Sequence, residues 1–131
     1  MLQLNGFTAT YLQYLYARVQ GIYRKGNLSA ESIASNPAPF QLTSDIEREL
    51  AISLLRFSEA LQDVLVDMRP NLLAQYLFDL TQTFYKFYDQ CKVLGAESEA
   101  LQASRLQLCE LTARTVRQGL ALLGIGVVDR M

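Results

Sequence analysis

The sequence predicts an all-α protein, an antiparallel bundle of about four long helices. Apolar residues recur at three- and four-residue spacing over four separate stretches. No stretch alternates apolar and polar residues as a half-buried strand would. Three of the four stretches are joined by short links, which make consecutive helices antiparallel neighbours. Half of the 131 residues are hydrophobic and 19% are charged. That suits one core and a single domain over residues 1–131.

The first helix is expected from about Thr8 or Thr10 to about Lys25, with a Thr as N-cap and Arg24 and Lys25 at the negative end of the dipole. Tyr11, Leu12, Leu15, Val19 and Ile22 share one stripe. Tyr14 and Arg18 sit one turn apart at its edge. Residues 26–43 read as a long loop broken by Asn27, Asn36, Pro37 and Pro39, with a short helical turn fitting Ala30–Ala34. A second helix is expected from Thr43 or Ser44 to Met68. Ser44 and Glu47 have capping-box spacing, and Ile46, Leu50, Leu54, Phe57, Leu61, Val64, Leu65 and Met68 form one stripe. Pro70 suits the first position of a third helix, which buries Leu73, Tyr76, Leu77, Leu80, Phe84, Phe87 and Cys91. Ser98 caps a fourth, which ends at Gly124. Its wide apolar face includes Leu101, Leu106, Leu108, Cys109, Ala113, Val116, Leu120 and Leu123.

Composition limits the chemistry. The chain has no His and no Trp, and its two cysteines, Cys91 and Cys109, are far apart. Ser–His–Asp and Cys–His catalysis are therefore closed to it, and the donor set for zinc is poor. The cysteines read as buried thiols in a reducing compartment. No phosphate-loop or dinucleotide glycine pattern is present. No apolar run approaches the ~20 residues a membrane span needs. Catalytic, cofactor and metal residues are expected to be none, which argues against a self-contained enzyme. Glu59, Asp63 and Asp67 read as an exposed acidic ridge.

Charge and aromatics are unevenly placed. The net charge is -1, yet residues 1–30 hold Arg18, Arg24 and Lys25 and no acid, while residues 31–70 hold seven acids and three Arg. Arg105, Arg114, Arg117 and Arg130 make the last stretch basic. If the first and last helices are neighbours, these cations build one face. Arg114 and Arg117, on the polar side of the last helix with Gln107 and Gln118, become candidate phosphate contacts; a solvated face is the plainer reading. Rings cluster at Tyr11, Tyr14, Tyr16 and Tyr23, and again from Tyr76 to Tyr88. Core packing explains Tyr76, Phe84 and Phe87. Phe78 and Tyr85 point away from the buried stripe and Tyr88 sits at its margin, so these rings need another helix, another domain or a ligand. With Ile52, Leu55 and Val66, the off-stripe Phe78 and Tyr85 also fit a second apolar surface of a helical interaction domain.

These residues also carry a resemblance. Gly6-Phe7-Thr8-Ala9-Thr10-Tyr11-Leu12-Gln13-Tyr14 is similar to the Gly-Asn-Thr-Ala-Pro-Tyr-(Leu/Val)-Gln-Tyr of the C-terminal, all-helical anticodon-binding domain of class I arginyl-tRNA synthetases. It continues through Tyr16-Ala17-Arg18 and Arg24-Lys25 as that family does. Leu77 to Tyr88 resembles the family's aromatic helix, Arg105 to Ile125 its last helix, and Asp129-Arg130-Met131 its terminal Glu-Arg-Met. Phe7, Thr10 and Val127 depart from the pattern, and the Asp-Ala-Leu-Arg signature is not literal. The resemblance implies a module that grips the anticodon stem-loop of the arginine tRNA. By position it implies tRNA contacts from Tyr11 and Arg18, from Tyr85 and Tyr88, and from Met131; Tyr14, beside Arg18, is counted with them. Met1 aligns with an internal family position, so the chain is expected to be the C-terminal part of a longer cytoplasmic or organellar synthetase. ATP and arginine would be used by its catalytic domain, which is absent from this sequence. The partners expected are tRNA and that catalytic domain, with no membrane and a monomeric state. A free-standing helical relative without synthetase activity is the alternative.

Overall fold

The computed structural model describes residues 6–131, with side chains from Thr8 onward; Met1 and the side chain of Phe7 fall outside it. The described residues form α1 (Gly6–Lys25), α2 (Ala30–Ser35), α3 (Asp45–Leu55), α4 (Phe57–Asp67), α5 (Pro70–Gln90) and α6 (Glu99–Leu122). The all-helical bundle is as expected, with α2 in the loop where a helical turn was anticipated. Helix α1 is already formed at Gly6, the first described residue, ahead of where a Thr8 or Thr10 cap would place it.

The second rod is the main correction. It is two helices, α3 and α4, divided at Arg56, whose N–H donates to the Ser53 carbonyl at 3.2 Å in a tight turn. The apolar stripe still carries across the break, with Leu54 and Phe57 packed half-buried on the core on either side of it, and fails only toward the end of α4. Ile46 and Leu50 are buried on α3, and Leu61 and Val64 are half-buried on α4. Leu65 and Met68, expected on the same buried stripe, are 74% and 81% exposed.

Contacts between side chains fix the directions of the rods. Tyr76 Oη donates to the Ser53 carbonyl at 2.5 Å and Ser44 lies against Cys91 at 3.7 Å, so α3 runs antiparallel to α5. Leu77 faces Gly119, and Arg105 donates to the Lys92 carbonyl at 2.7 Å, so α6 is antiparallel to α5. Tyr23 meets Glu110 and Gln13 meets Gly126, so α1 is antiparallel to α6. Along α1 and α5 the pairings rise together, Tyr11 with Phe78 and Arg18 with Tyr85 and Tyr88, so these two run parallel. This is the up-down-up-down order of a four-rod bundle, with α1 and α5 pointing the same way.

The core lies between these rods. Leu12, Leu15, Val19, Leu50, Leu77, Phe84, Phe87, Cys109, Val116 and Leu120 are each fully buried. Burying such a side chain contributes roughly 1.5–3 kcal/mol. Cys91 and Cys109 are free buried thiols, and burial pushes Cys109 up to about 12, far from reactive. None of the helices is long and apolar enough to cross a membrane among the described residues.

Candidate nucleic-acid interface

The site begins with α1. At alternating three- and four-residue spacing, Leu12, Leu15, Val19 and Ile22 go inward. That leaves Tyr14 and Arg18 on the adjoining face, both exposed. α1 ends where Asn27 adopts a left-handed conformation with φ 54° and the Leu28 N–H reaches back to the Tyr23 carbonyl at 2.8 Å. Arg24 and Lys25 thus stand at the carboxyl end of the helix, where cations are favoured.

The rings of α1 and α5 form a continuous row. Phe78 lies 5.3 Å from Tyr11, and Tyr11 lies 6.0 Å from Tyr85. The Arg18 guanidinium then sits 5.8 Å from the Tyr85 centroid and 5.6 Å from that of Tyr88. The off-stripe rings of α5 therefore find α1 as their partner. Burial raises Tyr85, with the Arg18 charge opposing it, and burial beside Tyr85 raises Tyr11. Both phenols are neutral at pH 7 and form the half-buried back of the row.

The tail supplies the other wall. α6 ends in a glycine-dependent cap: Gly124 has φ 81°, its N–H donates to the Ala121 carbonyl at 3.0 Å, and the Ile125 N–H donates to the Leu120 carbonyl at 2.8 Å. Beyond it Ile125 and Val127 pack on the core while Gly126 and Val128 face out. Gln13 Nε2 donates to the Gly126 carbonyl at 2.8 Å, and Arg24 Nη1 donates to the Asp129 carbonyl at 3.2 Å. The tail is thus laid along α1.

Between them opens a groove of about 480 Å³, lined by Tyr14, Ala17, Arg18, Gly21, Ile22, Arg24, Lys25, Tyr88, Arg130 and Met131. Four of these side chains are cationic and none is acidic. Such a groove attracts an anionic chain and offers rings and a thioether to apolar base faces. Tyr14, Arg18, Tyr88 and Met131 are brought together here. Tyr11 and Tyr85 are not among its lining residues; Tyr85 reaches it through Arg18, and Tyr11 through Tyr85.

Arg114 and Arg117 are exposed on α6 and are not among the groove's lining residues. Arg114 Nε donates to Glu110 at 3.3 Å, and Glu110 also accepts from the buried Tyr23 hydroxyl at 2.7 Å. Arg105, counted with the surface cations in the sequence, is buried against Glu47 at 3.4 Å. Arg24, Lys25 and Arg130, expected on one basic face if the first and last helices are neighbours, line this groove together. Gln13 matched the family motif, but its partner, the Gly126 carbonyl, lies on the tail and could not be read from the sequence.

Comparison with known proteins shows the family. Residues 12–131 match the model of the DALR anticodon binding domain. The chain is 50% identical over its whole length to an arginine–tRNA ligase of a Synechococcus strain, and 43% identical to that of Haemophilus influenzae. It spans 22% of the length of each. Among solved structures it superposes on arginyl-tRNA synthetase from Thermus thermophilus with a TM-score of 0.78 at 34% identity, over 93% of this chain and 21% of that one. A protein from Campylobacter jejuni described as a putative arginyl-tRNA synthetase gives a TM-score of 0.84 over 95% of this chain and 26% of that one; at 24% identity it shows the fold alone. With the match to the family model covering all but the first eleven residues, the chain belongs to the DALR anticodon-binding domain family.

Proposed function

We propose that this chain is the anticodon-recognition part of an arginine–tRNA ligase, and that its groove between α1, α5 and the tail holds unpaired nucleotides of the anticodon loop of the arginine tRNA. The observation that carries the proposal is the lining of that groove: Arg18, Arg24, Lys25 and Arg130 with Tyr14, Tyr88 and Met131, and no acidic side chain. Sequence-specific RNA recognition works on splayed loop bases rather than on the A-form duplex. Stacking such a base on an exposed ring contributes ~1–3 kcal/mol. Tyr14 and Tyr88 supply the rings, Met131 an adaptable apolar contact, and the four cations the phosphate neutralisation. Tyr11 and Tyr85 hold Arg18 and Tyr88 in place. Arg114 and Arg117 would extend phosphate contact along the stem.

In this reading the remaining part of the ligase, outside these 131 residues, carries the catalytic domain that uses ATP and arginine. The chain contributes recognition, as a monomer in the cytoplasm or an organelle's soluble compartment.

Titration of the 131-residue chain with a labelled anticodon stem-loop of the arginine tRNA, beside a hairpin of unrelated loop sequence, tests the proposal. The expected result is tighter binding of the cognate loop, weakening as salt rises. Equal affinity for both hairpins, or none for either at low salt, would contradict it.

A further inference from the structure

The tail residues that line the groove have no helix to hold them. Gly124 ends α6, and everything from Ile125 to Met131 is irregular chain. Arg130 and Met131 nevertheless wall the groove opposite Tyr14 and Arg18. Ile125 and Val127 anchor one side of the tail on the core. Apolar packing of two short side chains is non-directional and does not fix the chain's course beyond them. A directional bond is present: the Gln13 carboxamide, half-buried on α1, donates to the Gly126 carbonyl at 2.8 Å. It grips the tail one residue before Val127 and close to the point where Gly124 has just turned it. Gln13 lies outside the groove lining, so it does not share the groove's chemistry.

We infer that Gln13 is a positioning residue for recognition: by holding the Gly126 carbonyl it aims the tail so that Arg130 and Met131 complete the groove. The inference rests on the functional reading above. Arg24 makes a second such bond, to the Asp129 carbonyl at 3.2 Å, but Arg24 also lines the groove, so the two roles cannot be separated there. Gln13 is the cleaner handle. Its neighbours in sequence are otherwise engaged: Leu12 is fully buried and Tyr14 faces the groove, while residue 13 between them meets the tail.

Gln13→Met keeps the length of the side chain and removes its N–H donors. Backbone ¹⁵N heteronuclear NOE values of the 131-residue chain read the tail directly, without RNA. In the variant the values for residues 127–131 are expected to fall toward those of mobile chain, while α1, α5 and α6 keep theirs. Unchanged tail values would overturn the inference, whatever the RNA does. Stem-loop binding then reads the consequence. Gln13→Met should weaken it about five- to ten-fold, the size of one net hydrogen bond. In a chain lacking residues 127–131 the same substitution should cost nothing further. An equal loss in both backgrounds would mean that Gln13 touches RNA itself and would also overturn the inference. If the wild-type chain binds neither hairpin, the functional reading fails, and the NOE result still decides whether Gln13 holds the tail.

Discussion

The Arg18 guanidinium lies 5.6 Å from the centroid of the Tyr88 ring, so a cation from α1 and a ring from α5 stand together at the mouth of one groove. A cation–π contact of this exposed kind contributes ~0.5–1 kcal/mol. It presents a stacking face and a phosphate partner in one place. Substituting Arg18→Gln removes the charge and leaves a polar chain of similar reach. Stem-loop affinity should fall, and the slope of log affinity against log salt should become shallower by about 1, the signature of one lost phosphate contact. Circular dichroism should be unchanged, since Arg18 is exposed.

The buried pair of Glu47 and Arg105 ties three elements together. Glu47 Oε1 accepts from Thr43 and Ser44 at 2.9 and 2.8 Å, and Arg105 reaches both Glu47 and the Lys92 carbonyl. Burial works to raise the Glu47 carboxyl, but hydrogen bonds from Ser44, Arg105 and Thr43 and the Arg105 charge bring it below its ordinary 4.5. A lowered native value means stability that is present above 4.5 and lost as pH falls below it. Glu47→Gln should therefore cost about 3 kcal/mol at neutral pH, because Arg105 is left buried without its anion. It should also flatten the acid limb of a plot of Tm against pH.

Tyr23 behaves in the opposite sense. Its hydroxyl donates to Glu110 at 2.7 Å inside the core. Burial, followed by the bond to Glu110 and the charge of that carboxylate, raises the phenol far above its ordinary 10.0. Stability from a raised group is complete below pH 10 and is lost as pH climbs above it. Tyr23→Phe should cost about 1–2 kcal/mol at pH 7. Above pH 10 the variant should lose stability less steeply than wild type, as denaturant titrations at pH 7 and pH 11 would show.

Gly119 lets α5 and α6 approach. A Cβ there would sit 2.6 Å from Leu77 Cδ1, and Leu77 is fully buried. Gly119→Val should destabilise the bundle by about 1–3 kcal/mol, despite replacing a poor helix former. Thermal unfolding checks this.

Much of the fold was readable because it is written in local periodicity. Leu12 to Ile22, Leu73 to Phe87 and Leu101 to Leu120 each bury the face their spacing predicts. The break at Arg56 was not readable. Neither Gly nor Pro marks it, and the apolar repeat runs on through Leu54 and Phe57 as though the helix continued. The site divides in the same way. Tyr14, Arg18, Tyr88 and Met131 line the candidate groove, and they were singled out by the local clusters of α1 and α5 together with the family resemblance. Arg105 was misread as a surface cation because its acid partner stands 58 positions away. The partner of Gln13 was not readable because it lies 113 positions away.

Methionine methyl resonances test the location of the interface most directly. Met131 lines the groove, whereas Met68, 81% exposed at the end of α4, does not. With ¹³C-methyl methionine in the chain, addition of the anticodon stem-loop should shift and broaden the Met131 signal and leave that of Met68 in place. A Met68 signal that moves while Met131 stays still would put the RNA on the wrong face and contradict the account.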